Sequence, residues 1–280
     1  MYNGLVEVCR QKTGGVMTEK SRDNSFLKGA AILGAAGILI KIIGAFFRIP
    51  LGNIIGDEGM GYYQSAYPIY LILVVASTAG FPTAIAKLVS ERTAKGDPYG
   101  ADRIFKVSFF ILAGLGIFTS SILFFGARYY SEVIKNPKAY YSIIAIAPAL
   151  LFVPLMSSFR GYFQGLRDMR PTAVSQIIEQ LVRVAIGLVL AYALLGRGLE
   201  ISAAGATFGA GAGALISALA MAAIYFRHKS GMNLKRPEKP EKLNEIVKAL
   251  LLIAVPITIG ASVLPVMNSI DVGIVLRRLQ

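Results

Sequence analysis

Seven long apolar runs dominate this sequence, at roughly 27 to 50, 62 to 86, 104 to 127, 139 to 157, 172 to 195, 201 to 226 and 246 to 270. A helix of about 20 residues is long enough to cross the hydrocarbon layer of a bilayer. Backbone polar groups must be satisfied inside lipid, so spanning segments are helices or strands of a closed barrel, and none of these runs reads as a strand. The expected fold class is therefore an all-α integral membrane protein. Composition agrees, with 55% hydrophobic and 16% charged residues and a mean hydropathy of +0.59, outside the soluble range. A single cysteine, Cys9, excludes a disulfide framework. A single histidine, His228, leaves no Cys/His metal cluster, so neither metal nor cofactor is expected.

Residues 1–25 form a polar tail of mixed charge without the apolar core and cleavage site of a signal peptide. Met17 is an alternative start. Lysine and arginine then set the orientation. The tail (Lys20, Arg22, Lys28), the second loop (Lys87, Arg92, Lys95, Arg103, Lys106), the fourth (Arg160, Arg167, Arg170) and the sixth (Arg227, Lys229, Lys235, Arg236, Lys239, Lys242) are basic. The first loop, LGNIIGDEGMG, has no basic residue, the third has Arg128, Lys135 and Lys138, and the fifth has only Arg197. This alternation predicts a cytoplasmic N-terminus. Basic loops facing anionic lipid account for the net charge of +13, and nucleic-acid binding is discarded.

The expected organisation is a tail at 1–25, a lobe of six spans at 26–226, a basic cytoplasmic linker at 227–245 and a seventh span at 246–280. Both FRIPLGNIIGDEG after the first span and SIDVGIVLRRLQ after the seventh run from apolar helix into a short charged exit. That echo suggests a second repeat starting near 245, so the chain is expected to be an N-terminal piece of a longer protein.

Charged residues inside these spans are the candidate functional groups, because intramembrane ions face a bundle interior or a wet cavity. Lys41 and Arg48 lie seven apart and share a helix face. Arg48 also suits snorkelling to the outer interface. In the fifth span, Glu179 lies about 10 Å and Arg183 about 16 Å beyond Thr172. The two are expected to neutralise each other as an i, i+4 pair, with Gln176 and Gln180 extending the polar stripe. The alternative is interhelical glue. Gly205, Gly209 and Gly213 make a groove for a neighbouring helix. Pro68, Pro82, Pro148, Pro154, Pro256 and Pro265 are expected to interrupt or bend helices. Tyr62, Tyr63 and Gln64 fit either an outer vestibule or an interfacial aromatic belt.

The segments SSFRGYFQGLRDMRPTAVSQIIEQLVRV, KIIGAFFRIPLGNIIGDEGMGYYQSAYPIY and TAGFPTAIAKLVSE resemble the polysaccharide biosynthesis and stage V sporulation protein B family. That family sits in the superfamily that also holds MurJ-like lipid flippases and the MATE exporters. The resemblance runs from about residue 26 to the end and implies a six-helix N-lobe plus the first helix of a second lobe. It further implies a transporter, not an enzyme, that moves a lipid-linked cell-wall or polysaccharide precursor with a pyrophosphate headgroup by alternating access. Membrane lipids and cell-wall synthases are the other implied partners.

The substrate-binding candidates are Lys41, Arg48, Gln64, Gln180, Arg183 and Asp271. Glu179, Arg160 and Gln164 are candidates for a structural pair or gate. Lys41 and Arg48 fall in IKIIGAFFR, the segment matching a cavity-lining first helix in MurJ-like flippases. LILVVASTAGF carries no charge where Gram-negative lipid II flippases have arginines, a departure that favours a Gram-positive precursor. A cation-coupled drug exporter would instead require pocket carboxylates. A nontransporting scaffold for cell-wall synthesis is the remaining alternative.

Overall fold

Each apolar run folds as α-helix in the computed structural model, which describes residues 19–230 and 241–278, with side chains described for Gly29, 31–230 and 241–267. The helices are α1 (Glu19–Ser65), α2 (Tyr67–Thr78), α3 (Phe81–Ala94), α4 (Pro98–Val133), α5 (Tyr140–Gly165), α6 (Arg170–Leu194), α7 (Leu199–Ser230) and α8 (Leu243–Arg278). Short 3-10 turns at Pro137–Ala139 and Leu195–Arg197 precede α5 and α7. No strand occurs among the described residues. Cys9, both candidate starts, the middle of the basic linker and the Asp271 side chain lie outside what is described.

Among the described residues six segments are long and apolar enough to cross a membrane, and the first of them, Ala31–Ala94, holds 64 residues. Straight, it would reach about 96 Å, some three hydrocarbon thicknesses. Cross-chain contacts show that it goes out and comes back. At one end Lys138 pairs with Glu58 at 3.2 Å, and the Asn136 amide donates to Ser65 Oγ at 3.2 Å. At the opposite, basic end Gly29 abuts Met169, Gly165 abuts Val89, and Arg92 pairs with Glu241. The segment therefore runs out through α1 and folds back through α2 and α3.

The expected first loop is a correction. Residues 51–61 are helical, with one break at Gly56, whose φ of 64° and ψ of −174° suit a residue without Cβ. Leu51 and Ile55 in this stretch are fully buried against Ala191, Ala203 and Ala206, and that burial holds the helix together up to the kink. The prolines also divide differently than expected. Pro68 and Pro82 sit in the first turns of α2 and α3, where no amide hydrogen is needed, whereas Pro148, Pro154, Pro256 and Pro265 lie inside unbroken helices.

Close backbone contacts fix the bundle. A Cβ on Gly209 would lie 2.6 Å from the Arg183 carbonyl oxygen, and one on Gly213 would lie 2.5 Å from that of Glu179. The glycine groove of α7 therefore receives α6. At the α2–α3 break, the Gly80 amide donates to Thr258 Oγ1 at 3.1 Å, and a Cβ at Gly80 would overlap the Ala254 carbonyl. Ile246, Leu250 and Ala254 of α8 complete the core cluster around Phe81 and Phe105.

A candidate cationic cavity

A single cavity of about 750 Å³ gathers most of the charged candidates. The α1 wall supplies Lys41, Gly44 and Arg48, the α6 wall supplies Gln180 and Arg183, and Tyr63, Gln64 and Tyr67 come from the turn between α1 and α2. Leu264 and Pro265 of α8 contribute an apolar side. The walls approach closely because Gly44 has no side chain: a Cβ there would stand 3.3 Å from Gln180 Nε2. Of the six binding candidates, Lys41, Arg48, Gln64, Gln180 and Arg183 meet here. Arg48 is thus a cavity residue, and it lies within α1 rather than at a helix end.

Three cations and no carboxylate line this space among the described residues. Arg183 is seated instead on an aromatic face, its guanidinium carbon 5.3 Å from the centre of the Tyr67 ring. That ring is held in turn: the Tyr63 and Tyr67 hydroxyls are 2.7 Å apart, and their ring centres are separated by 5.1 Å. Both tyrosines belong to the cavity wall; Tyr62, by contrast, donates to Glu58 near the kink. Tyr62 and Tyr63 are buried rather than interfacial.

The expected Glu179–Arg183 pair does not form. Glu179 is taken by Arg160 of α5, with Nη2 to Oε2 at 2.8 Å, while Arg160 Nε donates to Ser175 Oγ at 2.9 Å. Position decides the competition. Arg160 offers a guanidinium fork that meets two α6 side chains one turn apart, whereas an i, i+4 pair on one exposed helix face is a weak interaction. Gln164 is half-buried in the last turn of α5 and does not line the cavity. Nor does Gln176, which ends the expected stripe at Gln180.

Sequence reasoning missed a second polar group at the basic end. The Asp102 side chain is only 3% exposed, receives Lys106 at 2.7 Å and Lys229 at 3.7 Å, and accepts from the Tyr225 hydroxyl. Asp102 and Lys106 are four apart at the start of α4, and that spacing was the available signal. The α7 partners could be found only by folding. Among the described residues no group of three or more potential metal ligands occurs.

Comparison with known proteins follows this geometry. The chain is 35% identical over 213 residues to the stage V sporulation protein B of Bacillus subtilis (strain 168), covering 76% of this chain and 41% of that protein. It is 32% identical over 220 residues to the lipid II flippase MurJ of the same organism, covering 74% and 40%. The chain thus spans less than half the length of these relatives. In three dimensions it is similar to an outward-facing MATE multidrug resistance transporter of the MOP superfamily, with a TM-score of 0.68 at 14% identity over 83% of this chain and 52% of that one. The all-α membrane fold is accordingly that of the MATE transporters. Residues 26–280 match the polysaccharide biosynthesis protein family, and the chain belongs to it.

Proposed function

We propose that this chain supplies the N-terminal lobe of a flippase that carries a lipid-linked cell-wall or polysaccharide precursor across the cytoplasmic membrane by alternating access. The N-terminus and the basic end lie on the cytoplasmic side. The carrying observation is the convergence of Lys41, Arg48 and Arg183 on one cavity without a lining carboxylate. A pyrophosphate brings two or more negative charges into a medium where desolvated charge is costly, and cations already held there offset that cost. Gln64 and Gln180 add neutral hydrogen-bonding groups for the headgroup. The cavity volume is within the range of small-ligand sites and suits a headgroup, with the lipid tail left outside. A cationic drug would meet three like charges, which disfavours a drug exporter.

The test is translocation of a pyrophosphate-linked lipid by the protein in liposomes, with Lys41→Ala and Arg183→Ala as the variants. Each should lower transport about tenfold or more while membrane abundance stays near that of the parent, since each removes one of the three cations that line the cavity. Unaltered transport in both, or function retained in cells by a variant lacking all three cations, would favour the scaffold reading.

A further inference from the structure

We infer that Arg160, which does not touch the cavity, is a positioning residue that keeps it cationic by withholding Glu179 from Arg183. The inference rests on the proposed anion-binding reading of the cavity and specifies what sets its polarity.

Sequence spacing alone pairs Glu179 with Arg183 across one helical turn. At 100° per residue they differ by about 40° around α6, with a rise of about 6 Å between them, so the free carboxylate would reach the Arg183 guanidinium. In the fold that route is blocked from the other side. Arg160 binds Glu179 Oε2 at 2.8 Å and Ser175 Oγ at 2.9 Å, and the Ser175 hydroxyl in turn donates to the Thr172 carbonyl at 2.8 Å. The Arg160 and Glu179 side chains are 15% and 25% exposed, so water competes little for either. The α6 backbone cannot rotate to change partners, because Gly209 and Gly213 of α7 pack against the carbonyls of Arg183 and Glu179.

Arg183 is consequently left over the Tyr67 ring and beside the Tyr63 hydroxyl, lining the cavity with no carboxylate on it among the described residues. A guanidinium over a ring keeps its charge without a counter-ion, whereas one paired with a carboxylate has that charge offset and one or two of its five donors engaged. Arg160 is thereby a specificity determinant: it decides whether α6 presents a cation or a neutral pair to the ligand.

The experiment measures binding of a polyprenyl pyrophosphate to the chain in nanodiscs, with inorganic pyrophosphate as a parallel probe to separate headgroup binding from capture of the lipid tail. Arg160→Leu frees Glu179, so affinity for both probes should fall about tenfold, the loss expected when one cation is neutralised. Adding Glu179→Gln removes the competing carboxylate, and the double variant should return to within about twofold of the parent. A bridge that merely ties α5 to α6 predicts the reverse, with the double variant as weak as Arg160→Leu. That result, or an Arg160→Leu variant with parental affinity, overturns the inference. If Arg160→Leu does not accumulate because a charge is stranded, the double variant alone decides: it buries no unpaired charge, and a loss of more than about fivefold refutes the proposal. Lys41→Ala separates the two levels of argument. Parental affinity in Lys41→Ala, or no binding by the parent, brings down the cavity reading and the inference with it, whereas weakened Lys41→Ala beside unaffected Arg160→Leu brings down the inference alone.

Discussion

Tyr67 and Asp102 show how single side chains make ionised groups tolerable inside this bundle. Arg183 has no carboxylate within ion-pair distance among the described residues, and the Tyr67 ring and the Tyr63 hydroxyl stand beside it instead. A desolvated cation–π contact contributes about 1–2 kcal/mol. Tyr67→Phe should therefore keep anion affinity close to the parent although it removes the hydroxyl contact to Tyr63, and Tyr67→Leu should lose roughly five- to thirtyfold in the same probe-binding titration. Equal losses in the two variants would point to the hydroxyl pair. Asp102 is a different case, because its carboxylate is buried among Lys106, Lys229 and Tyr225 and serves α4–α7 cohesion. Asp102→Ala leaves the tyrosine hydroxyl and the lysines without their acceptor. It should lower stability by about 3 kcal/mol, seen as a drop in thermal midpoint and detergent-solubilised yield. Tyr225→Phe removes a single hydrogen bond to a charged group and should cost about half as much.

At the scale of helices, α6 and α7 behave as one unit because glycine lets their backbones touch. Gly209→Ala or Gly213→Ala would drive a methyl into a carbonyl oxygen of α6, and backbone cannot step aside as a side chain can. Both variants should lower folded yield, and because the displaced carbonyls are those of Arg183 and Glu179, surviving protein should bind anionic probes more weakly. Gly34 and Gly37 of α1 are the controls, since nothing lies within 4 Å of a Cβ at either. Gly34→Ala should be neutral or stabilise slightly, by up to about 1 kcal/mol from helix propensity. The glycines of α7 were readable as a groove from their spacing, but the identity of the occupying helix was not.

For the whole molecule, the contact between the α2–α3 break and α8 joins the six-span bundle to the helix after the basic linker. Gly80 allows it, with its amide on Thr258 and no room for a side chain against Ala254. Gly80→Ala should release α8 while the remaining bundle stays folded. A cysteine replacing Thr258 would then react with a membrane-permeant thiol reagent several times faster in the Gly80→Ala background than in the parent. Unchanged reactivity would mean that the apolar contacts of Ile246 and Leu250 suffice to hold the helix. Charge follows the same large-scale division: Arg92 with Glu241 and Asp102 with Lys106 and Lys229 lie toward one end, and Glu58 with Lys138 toward the other.

The apolar runs alone determined the helical membrane class and the helices that carry ions, because a bilayer imposes a length and a hydropathy that can be counted along the chain. They did not determine the helical course of residues 51–61, where the burial of Leu51 and Ile55 that holds the helix together up to the kink is a contact with α6 and α7. Partner choice was likewise decided in three dimensions. Local spacing offers Glu179 only Arg183; Arg160 and Gln164 could be grouped with Glu179 as a pair or gate but not placed, and Arg160, nineteen positions earlier, becomes its neighbour only when α5 and α6 pack. Short-range pairs can be proposed from periodicity, whereas the competition between a local and a distant partner is settled by distance and desolvation in the assembled bundle. Here that competition leaves Arg183 facing the cavity.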